Sequence, residues 1–365
     1  MITSAEVVTA RPVLPGAGVS VKSLAQGSSA LAPSERGRWN AFVRRHPEGT
    51  FFHLAEWEQV VKQAFGHRAH YLYAESAGEI VGVLPLVEVK SLLFGHALVS
   101  TPFCVYGGSV ADSEDGYRAL EKAARDLGER LRVDYIEMRN RRPLHQGWIA
   151  KDLYVTFRRP ISADSEQNMS AIPRKQRAMV RKGIQNKLRA EVDSGVERMY
   201  GIYSESLRNL GTPVFSRRYP AILKETFKDD CEVLTVVHEE RPVASVMSFY
   251  FRDEVLPYYG GSVFAARAVA GNDFMYWQVM ERARERGIQV FDFGRSKRDT
   301  GAFDFKKNWG FEPQTLCYEC HLVKAREMPN LSPTNAKYGR AIEMWRRLPL
   351  SVTQMLGPPV ARYLG

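Results

Sequence analysis

One order of elements is written twice in this chain, and few folds accommodate that. Strand-like runs at Ala69–Glu75 and Glu79–Val89 flank a Ser76-Ala77-Gly78 hairpin linker. A third strand, Ala97–Phe103, leads to a Tyr106-Gly107-Gly108 turn, a helix over Gly116–Arg132 and a strand, Asp134–Arg139. The series recurs as strands Cys231–His238 and Pro242–Arg252, a third strand Glu254–Tyr259 ending in Tyr259-Gly260-Gly261, a helix over 274–286 and a strand over 290–293. Tyr-Gly-Gly repeats after 153 residues (106 to 259), the acid of the last strand after 155 (Glu137 to Asp292) and the base behind it after 156 (Arg139 to Arg295). Near-constant offsets across strand, turn, helix and strand mark an internal duplication. Chance recurrence is the competing explanation, because aromatic–glycine turns are common.

A duplication needs room for two cores, and 365 residues provide it. The expected division is a loose leader over 1–36, repeat units over 37–165 and 166–324, and a basic tail over 325–365. Strands alternating with helices make the fold class α/β (α+β). A formal net charge of +10 favours anionic partners: phosphates, nucleic acid or an anionic membrane surface. Four cysteines do not make a disulfide scaffold in a chain this long. Met1–Val21 has no basic start followed by an apolar core, and no window approaches the roughly 18 apolar residues of a membrane span. The expected location is cytoplasmic, with peripheral contact to the inner membrane open through the tail.

Several chemistries fail on their motifs. There is no P-loop, no GxGxxG and no GxSxG elbow. His67-Arg68-Ala69-His70 lacks a second ligand pair. Cys317-Tyr318-Glu319-Cys320 stands alone in an alternating strand-like run, so its cysteines read as structural and no metal is expected. The block from Arg174 to Arg189 carries seven Lys or Arg and no acid. As a helix it would turn Met179, Val180 and Ile184 inward, with its cations read as a phosphate or nucleic-acid surface or as a solvated face. The tail, with Trp345-Arg346-Arg347 followed by Leu348, Leu350, Val352 and Met355, either lies at a membrane interface or packs back on the protein, the favoured reading.

The second copy, from Tyr258 to Phe311, concentrates charged residues, glycines and aromatics at the ends of regular elements. Asn272 reads as a helix N-cap, and the free amides behind it, with Arg267, form a natural anion site. Asp292 alternates with Phe291 and Phe293 and needs a partner; Arg295 is the nearest cation in sequence. Lys306, between Phe305 and Trp309, could steady an oxyanion or phosphate, or could snorkel over Trp309 at the surface.

The run Asn272-x-Phe-x-Tyr-Trp, then Phe291-Asp292-Phe293-Gly294-Arg295-Ser296, then Phe303-x-Phe305-Lys306-x-x-Trp309-Gly310-Phe311, resembles the FemAB family. It is similar in particular to the FemAB-like proteins that accompany PEP-CTERM/exosortase exopolysaccharide systems. The resemblance implies two tandem GNAT-like acyltransferase domains. It also implies transfer of an acyl or aminoacyl group to an amine of a cell-envelope precursor, such as one of peptidoglycan or exopolysaccharide. The donor would be a co-substrate, aminoacyl-tRNA or acyl-CoA, with no permanently bound cofactor and with 174–189 as the surface for tRNA.

On this reading Lys306 and Asp292 are catalytic, while Phe305, Arg295, Tyr259, Arg267, Asn272 and Trp309 bind donor or substrate. The family's Phe-Lys pair maps onto Phe305 and Lys306. The acetyl-CoA loop of simple GNAT enzymes survives only as Arg267-x-x-x-Gly271-Asn272, and the first-domain precursor-binding residues have no match. The rival is a non-catalytic module that holds a glycan or lipid-linked intermediate.

Overall fold

The computed structural model describes residues 18–24, 33–91, 94–328 and 339–364. Most of the expected leader, 1–17 and 25–32, lies outside them, as do residues 329–338 of the tail. The first half runs β1 (Ser20–Ser23), α1 (Pro33–Arg45), α2 (Glu56–Phe65), β2 (Arg68–Ser76), β3 (Glu79–Ser91), β4 (Gly95–Ser100), β5 (Val110–Ala111), α3 (Glu114–Leu131), β6 (Tyr135–Asn140), β7 (Ile149–Lys151) and β8 (Tyr154–Pro160). The second opens with α4 (Ser165–Ala171), α5 (Arg174–Gln185), β9 (Arg189–Asp193), α6 (Glu197–Leu210), α7 (Arg218–Phe227), β10 (Cys231–His238), β11 (Arg241–Phe251) and β12 (Glu254–Ser262). It continues through α8 (Gly271–Glu285), β13 (Val290–Asp292), β14 (Ser296–Lys297), α9 (Gly301–Asn308), β15 (Pro313–Thr315) and β16 (Cys317–Leu322) to α10 (Gly339–Arg347) and α11 (Leu350–Ala361).

The strands form two sheets. One has the order β1-β2-β3-β4-β6-β16-β7 with β5 on β3; the other has the order β14-β8-β13-β12-β11-β10-β9 with β15 on β8. The duplication is visible in the registers. Both opening hairpins carry an irregularity at the same place, between Ala74 and Glu75 and between Val236 and Val237. In both sheets the only parallel pair among the described residues follows: β4 with β6 from Ala97–Tyr135, and β12 with β13 from Glu254–Val290. Glu137 and Asp292 each lie two residues past the start of that pair, so they hold the same position.

Four details differ from the sequence reading. Tyr259-Gly260-Gly261 is not a turn; it is strand, in register with β11 through Ser262. Tyr106-Gly107-Gly108 sits in a loop, 101–109, that breaks the corresponding strand into β4 and β5. Glycine is required there, since Gly107 has φ +140 with Thr101 where a Cβ would go, and Gly108 presses on Asn140 Oδ1. The division at 165/166 does not follow the sheets either. Strand β8 pairs with β13 in the second sheet, and β16 pairs with β6 in the first. Each half lends its last strand to the other. A strand also lies within residues 1–36, where β1 pairs with β2.

One large core joins the halves. Phe51 stacks on Phe249 with ring centroids 4.6 Å apart, Trp57 lies 5.3 Å from Phe227, and Phe65 lies 4.7 Å from Tyr219. A second core, on the opposite face of the second sheet, packs Phe274, Met275, Phe291, Phe293 and Trp309 under α8. The described tail packs back on the protein. Gln354 Nε2 donates to Ser204 Oγ (2.8 Å) on α6, and Arg362 reaches across to the Phe65 carbonyl of the first half. Among the described residues no helix is long and apolar enough to cross a membrane.

Candidate active site

Strand β12 runs to Ser262, but its parallel neighbour β13 pairs with it only at Glu254 and Val255 and ends at Asp292. The two strands part beyond that point, and the residues after β13 line the gap. Phe291 and Phe293 point into the core under α8, and Asp292 points to the opposite face with no exposed surface. Four groups satisfy its carboxylate. Tyr106 Oη donates to Oδ2 (2.9 Å), and Oδ1 accepts from Thr156 Oγ1 (3.1 Å) and the Gly294 amide (2.7 Å). Arg158 Nε forms an ion pair with Oδ2 at 3.1 Å.

Arg158, not Arg295, is therefore the partner of Asp292. The physical reason is strand exchange: β8 sets Arg158 directly across the ladder from Asp292. Arg295 lies past the strand end and turns toward tyrosines, with its guanidinium 4.6 Å from the Tyr154 ring centroid and Nη1 donating to Tyr318 Oη (3.3 Å).

Helix α9, N-capped by Thr300, carries Phe305 and Lys306 to the same loop. Lys306 is buried, not a surface side chain. Its Nζ donates to three backbone carbonyls, those of Phe293 (2.7 Å), Gly294 (3.0 Å) and Arg295 (3.1 Å). An ammonium has three protons and no acceptor, which is the form this cradle fits. Burial nevertheless draws its pKa down to about 7, against the pull of Asp292 and with the push of Arg295. Asp292 holds the Gly294 amide while Lys306 holds the Phe293 carbonyl, so the two predicted catalytic residues grip one peptide unit from either side. Gly294 takes φ +68 there.

Phe305 packs beside Tyr276 (5.5 Å) and Trp309 (6.1 Å). Trp309 is fully buried, and its Nε1 donates to Asp273 Oδ1 (2.9 Å) in the first turn of α8. Burial holds the Asp273 carboxyl above the usual range. The N-cap of α8 is Ala270, left-handed at φ +60, rather than Asn272, which is the second helical residue. Arg267 is exposed three positions before that cap, over the Phe264 ring. Tyr259 lies on the face of β12 away from α8, where its hydroxyl meets that of Tyr219 (2.7 Å) beside a cavity of about 10 Å³ lined by Tyr203 and Phe215.

The structure thus gathers Asp292, Arg295, Phe305 and Lys306 at one loop. It leaves Tyr259 on β12 against Tyr219, on the face toward which Asp292 points, and Arg267 and Asn272 at the start of α8. Tyr106, Thr156 and Arg158 belong to the cluster and were not read from sequence; only Tyr106 carried a signal, as part of the repeat. Helix α5 packs along α8, with Gly183 against Phe274 and Asn186 Nδ2 donating to the Val269 carbonyl (3.3 Å). Val180 and Gly183 form its buried stripe, and Ile184 is exposed.

Residues 168–307 match the family model described as acetyltransferase (GNAT) domain. A search of curated proteins finds no match. Among solved structures, the crystal structure of FemX superposes with a TM-score of 0.64 at 16% identity, covering 79% of this chain and 96% of that one. A tandem GNAT protein from the clavulanic acid biosynthesis pathway does so at 0.52 and 12%, covering 83% and 98%. This chain has a tandem GNAT fold. The C-terminal domain of a putative lysylphosphatidylglycerol synthetase from Agrobacterium fabrum is similar as well, at 0.52 and 14%, covering 78% and 91%. The loop held by Asp292 and Lys306 belongs to the second GNAT domain, the half that the family model spans. Among the described residues no cluster of His, Cys, Asp or Glu could hold a metal ion, and the cysteines are unpaired.

Proposed function

We propose that this tandem GNAT protein is an N-acyltransferase that passes an acyl or aminoacyl group to an amine of a cell-envelope or exopolysaccharide precursor. The observation that carries the reading is the buried Lys306 ammonium at the parting of β12 and β13, within the span that matches the GNAT family model. The acceptor amine attacks the activated carbonyl, an N–C bond forms, and the C–O or C–S bond to the donor breaks. Lys306 steadies the oxyanion. Its bond to the Arg295 carbonyl is the longest of the three and the least buried, so that carbonyl is the one substrate oxygen displaces.

Asp292, with both oxygens occupied by protein donors, is assigned to positioning the loop. The proton of the amine leaves through substrate or solvent to the departing oxygen or sulfur. Arg267 and the free amides at the start of α8 take a donor phosphate, and the adjoining basic face of α5 extends that surface along a phosphate-bearing donor such as aminoacyl-tRNA, or acyl-CoA. The FemAB resemblance supports an envelope acceptor and, more narrowly, a PEP-CTERM-associated one.

The test is transfer of labelled acyl or aminoacyl groups from each donor class to an amine acceptor. Lys306→Ala should lose on the order of 100- to 1000-fold in rate with its circular dichroism unchanged. Full activity of that variant on the true substrate would remove Lys306 from the mechanism. The occupied Lys306 cradle also suits a binding module; thermal stabilisation by glycan but by neither donor would favour it.

A further inference from the structure

The first domain holds a cavity that acyl transfer in the second leaves unused. It lies where the loop before β5, the residues after β6 and the first turn of α3 meet, and its lining includes Tyr106, Ser109, Tyr117, Asn140, Arg141 and Arg142. Its volume is about 20 Å³, room for one small polar group. Two lining residues carry polar atoms with no partner among the described residues: Ser109 Oγ, on a side chain 5% exposed, and Asn140 Oδ1, on one 2% exposed. Asn140 Nδ2 donates to Glu319 Oε2 (2.6 Å), which fixes the amide so that Oδ1 is the atom in need of a donor.

The charge is also unbalanced. Arg139 in the lining is answered by Glu137 at 3.0 Å. Arg141, half-buried, lies over the Tyr106 ring and Arg142, exposed, over the Tyr117 ring, each at 5.5 Å, and neither makes an ion pair among the described residues. Glu48 brings one carboxylate to the lining against these two cations. The 18-residue helix α3 starts here, with Ser113 as its cap, and adds the positive end of its dipole.

We propose that this cavity takes one hydroxyl of a small ligand whose neighbouring anionic oxygen group stays at the cavity mouth, the chemistry shared by sugar phosphates and hydroxy acids. The anionic oxygens face Arg141 and Arg142. The hydroxyl donates to Asn140 Oδ1, and Ser109 Oγ completes the set as donor or acceptor. Water would satisfy Ser109 and Asn140 and reaches the exposed Arg142, so the anionic group competes with solvent at the cavity mouth. Such a ligand would sit one side chain from the second domain, because Tyr106 lines the cavity and donates to Asp292.

The experiment is calorimetric titration of the full chain with glucose 1-phosphate, lactate, inorganic phosphate and glucose at matched ionic strength. Glucose 1-phosphate or lactate should bind at about 1 mM or tighter, with inorganic phosphate and glucose weaker, and the stronger of the first two names the class. Ser109→Ala and Arg141→Gln should each weaken that binding about tenfold without moving the unfolding midpoint. Absence of binding by both hydroxylated anions overturns the proposal. So does binding indifferent to both variants, or a crystal grown with the ligand that holds one ordered water between Ser109 and Asn140. None of these outcomes bears on acyl transfer, which is read through Lys306.

Discussion

Asp292 meets Tyr106 from the first domain, Thr156 and Arg158 from β8, and the amide of Gly294, all in a space closed to solvent. Asp292→Ala would leave the Thr156 hydroxyl and the Gly294 amide without their acceptor, with Tyr106 Oη still able to donate to Thr156 Oγ1, and leave Arg158 with Glu254 as its remaining partner. The expected cost is about 3–5 kcal/mol, against roughly 1 kcal/mol for Arg295→Ala, which loses tyrosine contacts only. Urea unfolding of the two variants checks this, and an equal or reversed order would mean the ion pair is misassigned. His53 offers a second test. Its Nδ1 accepts from the Thr50 amide (3.1 Å), so its Nε2 carries the proton bound for the Gly108 carbonyl (2.9 Å), and the buried ring is neutral. Burial lowers its pKa from 6.5 to about 4. Between those values the unfolded chain takes up a proton that the native ring refuses, so stability falls as pH drops through the window, by roughly 3 kcal/mol at its foot. His53→Gln should flatten that slope in urea titrations run from pH 7 to 4. Parallel curves for the two proteins would exclude His53 as the source.

The elements legible in sequence are those whose pattern is local. The hairpins β2–β3 and β10–β11, helix α3, and β6 and β13 all follow from alternation and spacing. The equivalence of Glu137 and Asp292 was legible too, because strand register preserves position. The base behind them was not, since Arg139 lies in β6 while Arg295 follows the end of β13. The tripeptide repeat misled in a useful way: Tyr259 lies in a continuous strand and Tyr106 in a loop that interrupts one. What the sequence could not disclose is pairing between distant strands. Nothing local to Tyr154–Pro160 says that it will leave its own half to cover β13, and without that strand neither Thr156 nor Arg158 can be placed beside Asp292. Lys306 illustrates the same limit within the site. Its aromatic neighbours were readable, but its three carbonyl partners depend on how α9 docks against the loop after β13.

At the scale of the whole molecule, the two GNAT domains are not separable units. Each sheet contains the final strand of the other half, and a single apolar core runs between them, from Trp57 and Phe65 to Phe227 and Phe249. The tail adds a further tie, since α11 packs on α6 while the carbonyl of Arg362 meets His67 Nε2 (2.6 Å) in the first domain. Cutting at 165 would leave β6 without β16 and β13 without β8, exposing two sheet edges and one face of each half's core. Independent folding of either half is therefore disfavoured, even though each has the length of an ordinary domain. The expected outcome is one cooperative transition in scanning calorimetry, with calorimetric and van't Hoff enthalpies equal. The fragments 1–165 and 166–365 should be unfolded or aggregated when made alone and recover native circular dichroism when refolded together. Two resolved transitions, or a folded monomeric fragment, would show that the exchanged strands contribute little and that the halves hold together as ordinary neighbouring domains.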